Sequence, residues 1–303
     1  MVKFAKRLCN DLWKYRWLYI LVIPVVLFYI LFCYKPIYGL LIAFKDFSPR
    51  QGILASEWTD HYGFGHFLDL FESYYFGRIL KNTLTISFSS IIFGFPAPII
   101  FALLLNEVRN QRFKKITQTI SYMPHFISMV VVAGLVRIFV AGDGVITNLL
   151  GQQVSLLSKP EYFVPIHVIS DIWQEMGWGA IIYLSALAGV DQELYEAARI
   201  DGAGRWKQTL HVTLPGISGT IIIMLLLRIG GIMNVGHEKI ILLYNEGIYE
   251  TADVISSYVY RRGLVDAKYS FSAAVGLFQS VINFIIVILF NRISKKVTET
   301  SLW

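Results

Sequence analysis

The chain has 303 residues, of which 55% are hydrophobic and only 16% are charged, and its formal net charge is +6. A soluble protein carries about 25% charged residues, so this composition argues against a soluble domain. The long apolar runs predict an all-α membrane protein instead. The basic excess then belongs to membrane topology and lipid contact rather than to nucleic-acid binding.

Six apolar segments are long enough to cross a bilayer, which takes about 20 helical residues. In chain order they are predicted at 17–44, 83–105, 120–140, 163–187, 215–235 and 271–290. Lys35 and Pro36 interrupt the first segment, so it either bends there or continues along the membrane surface. Together the six spans make 17–290 one transmembrane domain.

The charge of the connections predicts the orientation of these spans. Basic residues outnumber acidic ones in the tail 1–16, in the connection between the second and third spans, and in the tail 291–303. These basic residues are Lys3, Lys6, Arg7, Lys14, Arg16, Arg109, Arg112, Lys114, Lys115, Arg292, Lys295 and Lys296. The opposite segments, 45–82, 141–161 and 236–269, hold nine basic and twelve acidic residues. Since positive residues concentrate on the cytoplasmic side, both termini are predicted to be cytoplasmic.

One predicted cytoplasmic connection, 189–214, breaks this pattern with three basic and four acidic residues. Within it, Asp191–Ile200 predicts a short helix that begins with an aspartate N-cap. Gly202 ends that helix, because glycine readily adopts positive φ. A second short helix is predicted at 205–212, before Pro215 opens the next span. The loop is therefore either a contact site for a soluble protein or an ordinary amphipathic connector.

The residues of this loop resemble the EAA loop of ABC importer permeases. The matching positions are Glu196, Ala197, Ala198, Asp201, Gly202, Ala203, Leu214 and Pro215. The stretches 35–39, 43–47, 94–98, 122–128 and 251–254 resemble the carbohydrate-uptake permeases, in particular the Gram-positive branch for complex oligosaccharides. The resemblance runs from about Trp17 to Trp303. It implies the type I ABC importer permease fold, with a cytoplasmic coupling helix.

The resemblance also implies partners and a location. Such a permease works in the bacterial plasma membrane with a second, homologous permease, two copies of a cytoplasmic ABC ATPase and an extracellular solute-binding lipoprotein. The loops 45–82 and 236–269 are the candidate docking surfaces for that lipoprotein. This chain has no G-x-x-x-x-G-K-[ST] phosphate loop. ATP and Mg²⁺ therefore belong to the ATPase, and we expect no catalysis, cofactor or metal site in this chain.

The polar residues inside the spans suggest where a sugar passes, because charges there usually face a cavity or the bundle interior. The candidate path residues are Tyr122, His125, Asp171, Trp173, Gln174, Glu175, Tyr183, Asn234, Gln279 and Asn283. They combine hydrogen-bonding groups with aromatic rings, which suits a sugar. Each also has a structural alternative. Asp171 and Glu175, for example, could simply pair with Arg137 or Arg228.

Two other functions remain open at this point. In a proton-coupled secondary transporter, His167, Asp171 and Glu175 would form a proton relay. The low span count disfavours that alternative, and it leaves the coupling loop without a purpose. An intramembrane enzyme would need a catalytic motif such as H-E-x-x-H or G-x-S-x-G, and the sequence contains neither.

Overall fold

A computed structural model describes residues 13–298 and 301–302. Within these residues the regular structure is helical, apart from one isolated bridge between Lys45 and Trp58. The predicted all-α class is confirmed. Part of the predicted N-terminal tail, with Lys3, Lys6 and Arg7, lies outside the described residues, as does Trp303.

Ten helical segments form the framework of the described chain. They are α1 (Arg16–Phe44), α2 (Phe76–Glu107), α3 (Gln111–Phe126), α4 (Met129–Phe139), α5 (Pro160–Ala188), α6 (Gln192–Ile200), α7 (Arg205–Gly216), α8 (Ser218–Gly230), α9 (His237–Leu243) and α10 (Tyr269–Thr298). Shorter helices lie at Gly52–Ala55, Asp60–Gly63, Gly65–Glu72, Val145–Leu149, Leu156–Ser158, Glu246–Ile248, Tyr249–Ala252 and Ile255–Tyr260. Several segments change helix type internally, and α1 passes from α to π at Tyr29 and to 3₁₀ at Lys35.

Three helices of the described chain, α1, α2 and α10, are long and apolar enough to cross a membrane. The bent pairs α3–α4 and α7–α8 raise the number to five if each pair is one span. Helix α5 has 29 residues, but Asp171, Gln174 and Glu175 lower the hydropathy of its middle. The count of six spans therefore stays a prediction.

Two sharp bends shape this framework. Helices α3 and α4 meet at 102°, and α7 and α8 meet at 62°. A proline precedes each bend by a few residues, Pro124 in α3 and Pro215 in α7. Proline lacks an amide proton and clashes with the preceding turn, which favours a break in the helix. Ile217, at the second bend, is buried and fixes that corner against the helices around it.

The described chain divides into two compact units. The first holds residues 13–71 with Arg262–Leu277, and the second holds Glu72–Arg261 with the residues from Phe278 onward. In the first unit the ammonium of Lys45 is buried and donates to the backbone oxygens of Leu54 and Ser56, at 2.8 Å each. It also lies over the ring of Trp58. These contacts satisfy a buried charge and fix the loop that follows α1.

Helix α5 organises the second unit. One apolar cluster surrounds Phe163, near its start, and includes Ile240 of α9. Another surrounds Tyr183, near its end, and includes Ile217. Asp171 lies between Phe163 and Tyr183 along the helix. The two clusters hold α5 firmly on either side of its polar middle, so the side chains there have defined positions.

The middle of α5 also supports the bend between α3 and α4. Gly177 lies so close to Ser121 that a Cβ at position 177 would be 2.9 Å from the Ser121 Cβ and nearer still to its carbonyl. Gln174 donates to the carbonyl of Ile127 at 3.5 Å. The rings of His125 and Trp178 stack at 4.5 Å. Only a residue without a side chain allows this close approach at position 177.

Candidate functional site

The coupling loop begins with the helix that its sequence predicts. The Asp191 side chain accepts the amide of Glu193 at 3.0 Å, and α6 follows as Gln192–Ile200. Gly202 has φ +74°, in the left-handed region that favours glycine. This conformation turns the chain so that the amide of Ala203 reaches the carbonyl of Ala198 at 2.8 Å.

The second helix of the loop is longer than its prediction of 205–212. It continues through Pro215 to Gly216, with a π stretch at Thr209–Thr213, and then bends into α8. One contact joins the two helices of the loop, and another fastens the loop to α2. The hydroxyls of Tyr195 and Thr213 lie 3.0 Å apart. Arg205 donates to Glu107, at the end of α2, at 2.9 Å.

The eight predicted coupling residues divide between the surface and the loop interior. Glu196, Ala197, Asp201, Gly202 and Pro215 are exposed, whereas Ala198, Ala203 and Leu214 are half-buried. Large apolar side chains beside them are also exposed: Leu194, Trp206 and Ile200, the last 87% accessible. Exposed apolar residues clustered on a loop mark a surface that another protein can cover.

In the described chain, two neighbouring cavities lie beside the middle of α5. The larger has a volume of about 640 Å³ and is lined by α2, α5 and α8, with Phe95, Trp178 and Tyr183 among its aromatic residues. The smaller has a volume of about 410 Å³ and is lined by α2, α4, α5, α8 and α9. They share the wall residues Ser90, Asp171, Leu227 and Arg228. Both volumes fall within the range of about 300–1,000 Å³ that is typical of small-molecule sites.

A charged cluster forms the wall shared by the cavities. Lys239 of α9 is 3% exposed, and its ammonium donates to Asp171 at 2.9 Å and to the carbonyl of His167 at 3.1 Å. The other oxygen of Asp171 lies 3.9 Å from Arg228. The sequence suggested Arg228 or Arg137 as the partner. Arg228 is near, but Arg137 makes no ion pair within the described residues.

Lys239 was not among the site residues predicted from the sequence. It lies 68 positions beyond Asp171, in a segment that the span prediction assigns to an extracellular loop. The available signal was its position in the run His237–Leu243, where a lysine precedes four aliphatic residues. A lysine that is buried with such neighbours needs an anion nearby, because an unpaired buried charge is costly.

Glu175 has a different partner, at the bend between α3 and α4. Nδ1 of His125 lies 2.9 Å from a carboxylate oxygen of Glu175. His125 stacks on Trp178, and Phe126 meets the same indole edge-on. Of the structural alternatives, pairing of Glu175 with an arginine is not observed within the described residues, and His125 takes that place.

The other predicted path residues fall into two groups. Asp171, Glu175 and Tyr183 line the larger cavity, and Asp171 and Asn234 line the smaller one. Tyr122, His125, Trp173, Gln174, Gln279 and Asn283 are not among the residues lining these two cavities. Gln279 donates to the carbonyl of Met233, and the side chain of Asn283 accepts from the backbone amide of Met233 at 3.0 Å. These two amides thus hold the turn after α8, and their role in transport stays a prediction.

A second buried charge lies in the stretch 251–254. Asp253 is fully buried and accepts from Arg261 at 2.7 Å and from Arg78 at 3.4 Å. Ser257 also donates to it, at 2.7 Å. Burial alone would lower the pKa of the Arg261 guanidinium, but its hydrogen bonds to Asp253 and Tyr244 raise it above the usual value. The cluster ties the first turns of α2 to the helices that follow α9.

Comparison with known proteins agrees with this architecture. The family described as binding-protein-dependent transport system inner membrane component matches residues 94–299. The polygalacturonan/rhamnogalacturonan transport system permease protein YteP of Bacillus subtilis is 42% identical over 98% of this chain and 94% of its own length.

Two solved structures are also similar, each 44% identical in sequence. One is a chain of a bacterial ABC transporter involved in the import of the acidic polysaccharide alginate, with a TM-score of 0.87 over 96% of this chain and 99% of that chain. The other is a chain of a bacterial alginate ABC transporter in complex with alginate pentasaccharide-bound periplasmic protein. Its TM-score is 0.88, over 98% of this chain and 100% of that chain. The chain belongs to the family of binding-protein-dependent transport system inner membrane components.

Proposed function

We propose that this chain is the permease subunit of an ABC importer that moves an oligosaccharide across the bacterial plasma membrane by alternating access. The carrying observation is the coupling loop, whose exposed Ile200 and Trp206 offer an apolar surface to a soluble partner. The names of proteins similar to this chain mention polygalacturonan, rhamnogalacturonan and alginate, which supports a saccharide cargo. Family membership gives no support to the proton-coupled alternative.

A permease of this kind works with several partners. A second, homologous permease completes the path, and two copies of an ABC ATPase bind the coupling loops from the cytoplasm. ATP and Mg²⁺ sit on those ATPases, and this chain catalyses nothing itself. An extracellular solute-binding lipoprotein delivers the sugar to the loops 45–82 and 236–269. The similar alginate transporter, solved with its periplasmic protein, supports this last partner.

The membrane arrangement that we propose has six spans: α1, α2, α3–α4, α5, α7–α8 and α10. Both tails, 1–16 and 291–303, are then cytoplasmic, as is the coupling loop 189–214. Helix α5 crosses despite its polar middle because Asp171 is paired with Lys239 and faces cavities rather than lipid. Surrounding membrane lipid covers the apolar outer faces of the other spans.

The coupling loop would transmit ATP-driven motion through its anchors. Helix α6 sits on the ATPase and moves when ATP binding closes the ATPase dimer. The Tyr195–Thr213 and Arg205–Glu107 contacts pass that motion to α7 and α2. ATP shifts the permease between inward-open and outward-open states only as far as the closed ATPase dimer prefers one of them.

Replacing Gly202 with aspartate tests this proposal. The side chain strains the left-handed backbone and places a charge on the surface that meets the ATPase. We expect Gly202→Asp to lose most ATPase co-purification and sugar-stimulated ATP hydrolysis while the permease still inserts. Gly151→Asp is the matched control, because Gly151 also has positive φ and open space around it but lies outside the loop. Wild-type values for both readouts in Gly202→Asp would contradict the proposal.

Energy coupling can be tested separately. Uptake in cells treated with a protonophore but supplied with ATP should continue, whereas uptake in ATP-depleted cells with an intact proton gradient should stop. The reverse pattern would favour a proton-coupled carrier.

A further inference from the structure

The guanidinium of Arg228 lies where the two cavities meet. Its side chain is 51% exposed, and Arg228 belongs to the wall that both cavities share. Its nearest carboxylate oxygen, on Asp171, is 3.9 Å away, which is too far for a hydrogen bond. Within the described residues this guanidinium therefore has an ion neighbour but no hydrogen-bond acceptor.

The acidic groups around the cavities are otherwise engaged or distant. Asp171 is held by the buried Lys239 at 2.9 Å, so these two charges largely neutralise each other. Glu175 is held by His125 at the same distance. Glu238 also lines the smaller cavity, but it makes no ion pair with Arg228 in the described part of the chain. Arg228 is thus left as a cation open to a ligand.

A second unsatisfied group faces the same space. His167 is 5% exposed and lines the smaller cavity, and its Nδ1 has no hydrogen-bond partner in the described chain. Buried polar atoms normally have a partner, because leaving one unpaired costs about 1–3 kcal/mol. An unpaired buried nitrogen beside an unsatisfied guanidinium indicates that a polar ligand completes this site.

The chemistry of Arg228 selects among saccharides. A guanidinium presents donors in a planar fork that matches both oxygens of a carboxylate. A neutral sugar offers only hydroxyl groups, which leave the positive charge unbalanced inside a membrane span, where charge is costly. The carboxylate of a uronic acid unit balances that charge, and the exposed indole of Trp178 in the adjoining cavity suits a sugar face.

We propose that Arg228 binds the carboxylate of an acidic sugar unit during passage, so that the cargo is a uronate-containing oligosaccharide. This assignment rests on the proposed function, in which the chain carries an oligosaccharide. Arg228 takes the cargo carboxylate, while Asp171 stays with Lys239. Arg228 is then the residue that distinguishes acidic from neutral cargo.

The experiment uses the complete transporter with its binding protein in proteoliposomes. The probes are trigalacturonate, trimannuronate and the carboxyl-reduced form of each trimer, which keeps the linkage and loses the charge. The variants are Arg228→Gln and Arg228→Lys, with Arg137→Gln as the control, since Arg137 is not among the residues lining either cavity. The same binding protein serves every arm, so differences between variants arise in the permease.

We expect Arg228→Gln to lower kcat/KM for a transported uronate probe about tenfold or more, as losing one charge-assisted hydrogen bond does. Arg228→Lys should recover part of the loss, and Arg137→Gln should match the wild type. Where a reduced probe is carried, Arg228→Gln should affect it much less.

Three results would overturn the assignment. An equal loss for charged and reduced probes in Arg228→Gln would make the residue purely structural. Unchanged uronate uptake in Arg228→Gln, or a wild type that carries only reduced probes, would exclude acidic-sugar recognition but leave oligosaccharide import standing. Failure to carry any saccharide, with ATPase activity intact, would instead remove the proposed function itself.

Discussion

The ammonium of Lys239 lies 2.9 Å from Asp171, and the two residues connect α9 to the middle of α5. Lys239 is almost completely buried, whereas the Asp171 side chain is 29% exposed. Removing one partner of a buried pair leaves the other charge uncompensated, which costs far more than the pair contributes as a whole.

Lys239→Gln should destabilise the purified permease by up to about 3–5 kcal/mol, because Asp171 would lose its hydrogen-bonded partner and keep only the guanidinium of Arg228, which is 3.9 Å away. Thermal or denaturant unfolding in detergent would measure the change. The control is Asp266→Asn, which breaks the exposed Arg262–Asp266 pair and should cost less than about 1 kcal/mol. Equal effects of the two variants would show that Lys239 is not buried as described.

Gly177→Ala should distort the contact between α5 and the bend of α3 and α4. The added methyl group meets the backbone of Ser121, which cannot move without displacing α3, and overpacking typically costs about 1–3 kcal/mol. Gly134→Ala is the matched control, since Gly134 is helical and has open space around it. The control should be neutral or stabilising. Unfolding transitions that rank the two variants in the opposite order would refute the close approach.

The two arginines at Asp253 should differ in importance. Arg261 donates at 2.7 Å and Arg78 at 3.4 Å, so Arg261→Gln should lower the midpoint of thermal unfolding more than Arg78→Gln. Asp253→Asn should lower the midpoint more than either arginine variant, because it removes the negative charge that both guanidinium groups share and leaves two half-buried cations uncompensated. An Asp253→Asn protein that is as stable as Arg78→Gln would contradict this order.

Ile200→Asp should weaken binding of the ATPase without loss of permease stability. The side chain is already exposed, so the substitution removes apolar area only from a contact with a partner. We expect at least about a tenfold loss of co-purified ATPase, equivalent to about 1.4 kcal/mol. Leu149→Asp, at a similarly exposed position outside the loop, should leave the complex intact. Loss of ATPase in both variants would indicate a general defect instead.

The coupling loop could be predicted well because its signals are local. The aspartate N-cap Asp191 and the positive-φ glycine Gly202 lie just outside the two ends of α6, and no distant contact is needed. The second helix continues beyond its predicted end at residue 212. Pro215 lies inside this helix, and the chain bends two residues after it, at Ile217.

The candidate site was harder to predict, because its contacts join distant parts of the chain. Asp171 and Glu175 share a helix face, yet one pairs with Lys239 and the other with His125. Helical spacing places side chains on a face but does not say which neighbour packs there. Only the packing of α9 and the α3–α4 bend against α5 determines these partners.

Helix α8 is connected to the coupling loop through the 62° bend at Ile217. Arg228 lies ten residues beyond Ser218, which is about 15 Å along the helix. Rotating α8 by about 4° around Ile217 would move residue 228 by about 1 Å, given that length. One ångström is the difference between the present 3.9 Å separation from Asp171 and a full hydrogen bond. Under the proposed function, a displacement of this size at the coupling loop would decide whether Arg228 binds the cargo carboxylate or comes within hydrogen-bond distance of Asp171.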